Sequence, residues 1–469
     1  MTRWAWVRAT ALAIATIGSC VATPCFAQAD APQRPTILFN RWQEDWSVLA
    51  DPRIAPEPLD SLKYIPLSAI DPKTYLSFGA NIRERFESNN APSFGTGTNR
   101  NQNYVISRTE LHADLRLQDQ IQVFAQVQSD FAPGKVPITP VDENRFDLEQ
   151  AFVALVEPWG DGTLKVRLGR QQFAFDLQRF VSVRDGPNVR QSYDAAWADY
   201  ETGPWRFIGF YSQPVQLRNP YAFGDYSDGS LTYGGLRVER QLWENATLAV
   251  YYSRFTQDNA QYLSVTGNER RDILDLHFSG TAGGFDWDAE TMGQVGQVGG
   301  KDVQAWAIGS LAGYTFRDAG WKPRLGLQFD MASGDSNPSG TTLRTFNPLF
   351  PNGYYVTLAG YTGYVNLIHL KPSITFRPVE QVKVMLAGGL QWRQTTADAI
   401  YTQPNIPVPG TAGRGDSYTG AYGQVRIEWA ISRSLAFALE AVHFEVGDTI
   451  RQAGGRNADY VGVQLAFGW

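Results

Sequence analysis

From Tyr104 to Leu117 the chain reads YVISRTELHADLRL, and from Glu110 onward polar and apolar residues alternate strictly. Consecutive side chains of an extended strand point to opposite faces, so this stretch would have one polar and one apolar face. The polar face, which must meet water, consists of Arg108, Glu110, His112, Asp114 and Arg116. The pattern predicts a strand in a wall that separates water from an apolar medium.

The same unit recurs along the chain. Its first copy runs from Tyr75 to Glu87 and its last from Asp459 to Trp469. Alternating segments of about ten residues, separated by turn residues, are typical of transmembrane barrel strands. We count about 18 of them, an even number as in single-chain bacterial barrels. The sequence therefore predicts an all-β fold, a transmembrane antiparallel β-barrel over residues 74–469.

Short and long connections alternate between these segments. Pro158 to Gly162 is a short turn, whereas Gln172 to Tyr193 and Asn259 to Arg270 are long and rich in turn-forming residues. Val298 to Val303 is short where a long loop is due. Outer-membrane barrels have short periplasmic turns and long extracellular loops. We therefore expect both termini and the short turns in the periplasm.

A soluble barrel or sandwich is the alternative fold, but it would need an apolar interior. The interior predicted here is charged, and a wide barrel keeps such charges hydrated in an aqueous channel. The chain also has a negative mean hydropathy and is 13% aromatic. The predicted inward charges are Arg83, Arg85, Lys165, Arg167, Asp286, Asp288, Glu290, Arg324, Asp330, Arg426 and Glu428.

The N-terminus has the features of a secretory signal peptide over residues 1–27. Arg3 and Arg8 precede an apolar stretch, and small residues precede Gln28 at the expected cleavage site. Lipoprotein processing at Cys20 is a weaker alternative. Both cysteines lie before Gln28, so the mature chain would have no disulfide, zinc–thiolate site or thiol nucleophile.

The C-terminal segment alternates apolar residues with small or polar ones and ends on an aromatic residue. Phe467 and Trp469 resemble the terminal signal that the barrel assembly machinery recognises. An ordinary edge strand is the alternative, although an unpaired edge of this kind would favour aggregation.

Residues 28–73 lack the alternation and are rich in proline and aspartate, which predicts a periplasmic extension. Trp42, Glu44, Asp45 and Trp46 in this extension either plug the periplasmic mouth of the barrel or anchor the N-terminus by aromatic packing.

Several short motifs together resemble the start of the alginate export family domain. They are RWQEDWS at 41–47, LKYIPL at 62–67, YLSFGANIRERFE at 75–87, LEQAF at 148–152, LGRQ at 168–171 and RDGPNVR at 184–190. Beyond Gln213 no loop carries a matching motif, so the substrate does not follow from the motifs.

The resemblance implies an 18-stranded outer-membrane pore in a Gram-negative cell, through which an anionic uronate polysaccharide passes passively along an arginine-bearing lumen. It implies as partners the lipid bilayer, the barrel assembly machinery and periplasmic export proteins. It implies no cofactor, no metal and no nucleic acid.

Arginine suits such a pore because its planar fork binds carboxylates in bidentate fashion. Two groups of cationic residues are candidate pore-lining or anion-binding groups. The first would form a basic wall on the inward strand faces, and the second borders the loop Gln172 to Tyr193, which would either constrict the pore or form a plain turn network. The first group is Arg83, Arg85, Arg108, Arg116, Lys165 and Arg167, and the second is Arg170, Arg184 and Arg190.

A structural role for these cations is the alternative. The arginines would then pair with Glu87, Glu110, Asp114 and Glu149 in a charge ladder that braces the lumen. The net charge of −6 and the acidic row at Asp286, Asp288 and Glu290 also argue against uniform anion selectivity.

Two other functions remain open. A barrel hydrolase needs a serine, a histidine and an orienting partner. None of the four histidines, His112, His277, His369 and His443, lies in a recognisable nucleophile motif, so we expect no enzyme. An uptake porin for small anions or sugars would share every barrel feature of the sequence.

Overall fold

The computed structural model describes residues 33–97, 101–219 and 221–469. The predicted signal peptide and both cysteines lie outside these residues. The described chain forms a closed antiparallel β-barrel of 18 strands, which confirms the predicted fold class.

Each barrel strand pairs with its neighbours in sequence, and the last strand pairs with the first. The strands are β1 (Tyr75–Asn89), β2 (Gln102–Leu117), β3 (Ile121–Phe131), β4 (Asn144–Trp159), β5 (Gly162–Gln171), β6 (Tyr193–Thr202), β7 (Trp205–Pro214), β8 (Leu231–Trp243), β9 (Ala246–Tyr262), β10 (Val265–Ala282), β11 (Phe285–Val298), β12 (Lys301–Thr315), β13 (Arg324–Ala332), β14 (Leu367–Val379), β15 (Val382–Trp392), β16 (Tyr418–Ala430), β17 (Leu435–Val446) and β18 (Ala458–Gly468).

Short helices and strands lie outside the 18 barrel strands. The helices are the 3-10 turns Arg41–Gln43, Trp46–Ala50 and Pro92–Gly95, and the α-helical turns α1 (Asp60–Lys63) and α2 (Asp448–Gln452). The short strands are Ile65–Pro66, Thr342–Leu343, Tyr401–Thr402 and Ile406–Pro407. None of the described helices has the length and apolar character needed to cross a membrane.

The two faces of the wall have opposite chemistry. On β2, Leu111 is 52% exposed on the outside, while its neighbours Glu110 and His112 are buried on the inside. The same alternation recurs on β5, where Leu168 faces outward and Arg167 inward. The barrel therefore presents an apolar exterior to lipid and a charged interior.

Large exposed aromatic residues mark the end of the barrel that has the short turns. Such a girdle is expected where barrel strands meet the lipid headgroups. Its members, each beside a short turn, are Trp159, Trp205, Trp243, Phe285, Trp321 and Trp429.

The prediction that Asn259 to Arg270 form a long loop is wrong. These residues extend β9 and β10 to 17 and 18 residues, and Tyr262 pairs with Val265 across a tight turn. A barrel strand needs about 9–11 residues to cross the bilayer, so this hairpin projects beyond it. Outside the hydrocarbon the outward face no longer has to be apolar, and the alternation that identifies a strand disappears.

The polar–apolar pattern also predicts a strand from Tyr361 to Phe376, and the observed strand starts later. Residues 361–366 turn into the interior, where Tyr361, Tyr364 and Val365 are buried, and β14 begins at Leu367. These apolar residues resemble a strand in sequence because an inward-folded loop must also bury apolar side chains.

A charge on the lipid-facing surface should destabilise the barrel. We expect Leu111→Arg to lower the free energy of unfolding by about 2–4 kcal/mol, because the guanidinium would enter hydrocarbon. Equilibrium unfolding in phospholipid vesicles measures this. The control is Ile406→Arg, at a site that is 55% exposed in the short hairpin outside the barrel strands. Equal effects of both changes would contradict the assignment of the lipid-facing surface.

Candidate functional site

The connection between β5 and β6, residues 172–192, folds into the barrel. Phe173, Phe175 and Phe180 in this inner loop are buried. Phe173 stacks on Tyr193 with ring centroids 4.2 Å apart and also packs against Phe210 of the wall. Aromatic side chains buried against the wall hold the inner loop in place.

The inner loop brings one carboxylate to three wall and loop guanidiniums. Asp185 Oδ1 lies 2.6 Å from Arg108 Nη1, 2.7 Å from Arg190 Nε and 3.8 Å from Arg83 Nη1. Arg83 Nη1 also donates to the Asp185 carbonyl at 2.8 Å. We call these residues the Asp185 cluster.

The members of the Asp185 cluster differ in exposure. The Asp185 side chain keeps 43% of its surface exposed, whereas the Arg83, Arg108 and Arg190 side chains keep 9%, 2% and 10%. A partly exposed anion therefore covers three buried cations. Charge-assisted hydrogen bonds of this kind are stronger than neutral ones, and they neutralise the guanidiniums.

Other predicted cations bind carboxylates fixed in the wall. Arg85 contacts Glu440 Oε2 at 2.5 Å, Lys165 contacts Glu201 at 2.8 Å, and Arg116 contacts Asp114 at 3.0 Å. Arg170 binds both oxygens of Asp194, at 2.9 and 3.0 Å. These contacts resemble the charge ladder that the sequence left as an alternative.

Arg167 and Arg184 have different surroundings. The Arg167 guanidinium lies 4.5 Å from the centre of the Trp42 ring, and its Nε donates to Gln171. Arg184 donates to the carbonyl of Leu349 at 3.1 Å, in the loop between β13 and β14. Arg184 thus ties the inner loop to a second inward-folded loop, residues 333–366.

The N-terminal segment lies across the short-turn end of the lumen. Arg116 Nη2 donates to the carbonyls of Trp42 and Glu44, at 2.6 and 2.8 Å. Glu44 pairs with Arg41 at 2.8 Å, and both side chains are fully buried. Arg41 in turn donates to the carbonyl of Trp469 at 2.7 Å. These contacts join the segment to the second strand and to the end of the last strand.

The other two predicted residues of this segment are placed as follows. Asp45 accepts from the backbone of Ser47 at the start of a 3-10 turn and lies 3.2 Å from Lys73. Burial opposes ionisation of Asp45, but its hydrogen bonds from Ser47 and the charges of Lys73 and Arg116 lower its pKa overall. Trp46 is buried, and its indole donates to Glu44 at 2.9 Å.

Sequence reasoning predicted that Asp288 faces inward but missed the other members of a second charged cluster on the opposite wall. Asp176 of the inner loop binds Arg237 at 2.6 Å and His277 at 3.0 Å. Arg179 of the same loop contacts Asp288 at 2.5 Å. Arg237 alternates with the exposed Leu236 and Val238, so the strand pattern could have identified it. No local signal points to the partners in the inner loop.

Within the described ranges, no group of three or more acidic, cysteine or histidine side chains has the geometry to hold a metal ion. Three of the histidines contact carboxylates: His277 contacts Asp288 at 2.9 Å, His369 contacts Asp330 at 2.8 Å, and His443 contacts Asp459 at 2.6 Å. The first two contacts hold buried imidazoles within the charge network of the lumen, whereas His443 and Asp459 form an exposed pair.

Residues 74–464 match the profile of the alginate export family. The chain belongs to the alginate export family. The match covers the barrel from its first strand into its last, and it confirms the resemblance inferred from the motifs. No curated protein sequence matches the chain.

Solved structures of outer-membrane porins share the fold. The outer membrane protein OpdK of Pseudomonas aeruginosa is 11% identical, with a TM-score of 0.55 over 84% of this chain and 98% of that one. A BenF-like porin from Pseudomonas fluorescens Pf-5 is 10% identical, with a TM-score of 0.55 over 84% and 99%. Pseudomonas aeruginosa OccK2, solved in complex with glucuronate, is 11% identical, with a TM-score of 0.52 over 84% and 96%. The family and the fold together identify an outer-membrane pore in the lipid bilayer.

Seating of the N-terminal segment, which is the binding of residues 33–73 to the short-turn end of the barrel, should depend on pH through Lys63. Its Nζ lies 4.9 Å from the Trp46 ring and 4.6 Å from the Trp469 ring. Burial, with smaller contributions from Arg41 and Arg433 against the opposing charge of Glu44, lowers the pKa of Lys63 from 10.5 to about 7. Seating therefore releases a proton between these values and becomes more favourable as pH rises from about 7 to 10.5.

Limited proteolysis of residues 33–73 at several pH values measures this effect. We expect cleavage, corrected for protease activity, to slow as pH rises through that window. Lys63→Met keeps the length of the side chain and removes its charge, so the pH dependence should disappear. The same pH dependence in Lys63→Met would exclude Lys63 as its source.

Proposed function

We propose that this pore passes an anionic, uronate-type polysaccharide, and that Asp185 occupies the place of a substrate carboxylate in the resting state. The Asp185 cluster carries the proposal, because its three guanidiniums converge on one partly exposed carboxylate. Guanidinium groups bind the carboxylates of a uronate with the same geometry.

Displacement of the inner loop would open this site. Removal of Asp185 would leave Arg83 and Arg108 without their nearest carboxylate, and a passing carboxylate would replace the lost partner. Arg190 lies on the inner loop itself and also pairs with Glu110 Oε1 at 2.7 Å. A polyanion can then move from one guanidinium to the next without a deep trap, as conduction requires.

The remaining predicted roles fit this proposal. Structural support of the lumen, and its electrostatic field, would come from Arg170, Arg184 and the wall cations Arg85, Arg116, Lys165 and Arg167.

The N-terminal segment would be anchored over the periplasmic mouth, and would narrow it, through Trp42, Glu44, Asp45 and Trp46. Phe467 and Trp469 would serve as the assembly signal, with periplasmic export proteins as further partners. Passage would be passive, without catalysis, cofactor or metal.

Uptake of small organic acids is the second candidate function. It is favoured by the porin OccK2, whose structure was solved in complex with glucuronate, a single uronate. The two candidates differ in the length of the ligand. An export pore should bind long oligouronates much more tightly than glucuronate, because several carboxylates engage the lumen together.

Asp185→Asn should increase channel conductance and strengthen block by oligouronates. The amide removes the competing charge, so we expect apparent affinity to rise roughly tenfold. Single-channel recording in planar bilayers with tri- to decauronates measures both effects. Asp228→Asn, a change of the same charge at an exposed loop residue, serves as the control. If Asp185→Asn behaves like that control, the resting role of Asp185 is excluded.

Arg83→Ser with Arg190→Ser should shift the reversal potential toward cation selectivity and weaken oligouronate block roughly tenfold or more. The two changes remove guanidinium groups that donate hydrogen bonds to carboxylates, but they leave the barrel strands paired. Arg53→Ser is the matched control, because Arg53 is exposed outside the barrel. An unchanged reversal potential in the double variant would remove the proposed basic path. Tighter block by glucuronate than by decauronate would favour the uptake candidate.

A further inference from the structure

The outer wall has a recess at its extracellular end. β13 stops at Ala332, opposite Ala307, although β12 continues upward to Lys301. The chain turns inward after Ala332 and returns at Thr342–Leu343, which pairs with the upper part of β12. This step in the wall leaves a cavity of about 660 Å³ beside the projecting strands.

The floor of the recess faces the lipid. Its residues form a row across four strands, in which Tyr252 pairs with Leu274, Leu274 with Gly293, and Gly293 with Trp306. Tyr252, Leu274 and Trp306 are 46%, 62% and 37% exposed. Apolar residues and interfacial aromatics of this kind are expected at the edge of the hydrocarbon layer.

Positive charge surrounds the next row outward. Asp272 lies in the recess and binds the exposed Arg254 at 2.7 Å and Arg270 at 3.4 Å. Arg344 lines the opposite side of the recess, on the returning loop. The charged residues that line the recess are thus Asp272 and Arg344, and Arg254 and Arg270 lie beside Asp272. Basic groups at the membrane surface attract anionic lipid headgroups.

We propose that this recess binds lipid A, the phosphorylated glycolipid of the outer leaflet. An acyl chain would lie on Leu274, Gly293 and Trp306, while one phosphate would bind Arg254 and a second phosphate would bind Arg344 on the opposite side of the recess. The volume lies in the range of pockets that hold small molecules. The recess is at the end of the barrel with the long loops, which places it in the outer leaflet. The site is independent of the lumen and of the proposed transport function.

Gly293 offers a direct test, because a Cβ added at this position meets no heavy atom within 4 Å. Gly293→Trp would place an indole in the recess. Gly423→Trp is the matched control, since Gly423 is also exposed on an outer strand face with no heavy atom within 4 Å of an added Cβ. Native mass spectrometry of the full barrel, extracted from vesicles that contain diphosphoryl lipid A, measures the retained lipid.

We expect the unmodified protein and Gly423→Trp to retain lipid A, and Gly293→Trp to lose it. Arg254→Gln and Arg344→Gln should each weaken retention roughly fivefold. Arg451→Gln is their control, because Arg451 is exposed at the same end of the barrel and also pairs with carboxylates. Equal retention in all variants would overturn the site.

The identity of the lipid has its own test. Lipid A without phosphates, phosphatidylglycerol and inorganic phosphate replace diphosphoryl lipid A in parallel titrations. We expect all three to bind at least tenfold more weakly. Equal binding of phosphatidylglycerol would overturn the assignment to lipid A, and displacement by inorganic phosphate alone would overturn the role of the acyl chain.

Discussion

Every backbone amide that crosses the bilayer must be paired within the protein, because hydrocarbon offers no hydrogen-bond partner. The pairing of β18 with β1 meets this constraint, from Asn81 opposite Gly468 to Asn89 opposite Tyr460. Arg41 strengthens the same seam, since it donates to the carbonyls of Ala80 and Trp469. The closed ring fixes which side chains face lipid and which face the lumen, and all the charged clusters depend on it.

A ring of this size encloses more space than the inward strand side chains can fill. Two inward-folded loops occupy part of that space and contact each other. Phe180 of the inner loop packs against Phe346 and Tyr364, with centroids 5.3 Å apart in both cases. The wall charges that these loops cover lose water, and buried charge is tolerated where it is paired and hydrogen-bonded. The loops supply many of the partners, which explains why inward arginines and loop carboxylates occur together.

The strands could be predicted from sequence because alternation is a local property that lipid on one side and water on the other impose on each strand. The inward position of Arg83 and Arg108 followed from it. Their partner Asp185 did not, because it lies 102 residues from Arg83 in sequence and on a loop whose path depends on the finished barrel. The projecting hairpin could not be predicted, because Asn259 to Arg270 pair as strands beyond the bilayer. No lipid contacts these residues there, so their sequence does not alternate.

The lumen guanidiniums are of two kinds, because some pair with carboxylates on barrel strands and others pair with a carboxylate on a loop. Arg85 pairs with Glu440 on β17, so a strand carries both charges and loop movement leaves them neutralised. Arg83 and Arg108 pair with Asp185, which a connecting loop carries and which remains 43% exposed. Under the proposed function, a polyanion that displaces the loop would exchange one carboxylate for another, and the net change in paired charge would be small. Such an exchange would provide affinity for passage without the deep binding that would block the pore.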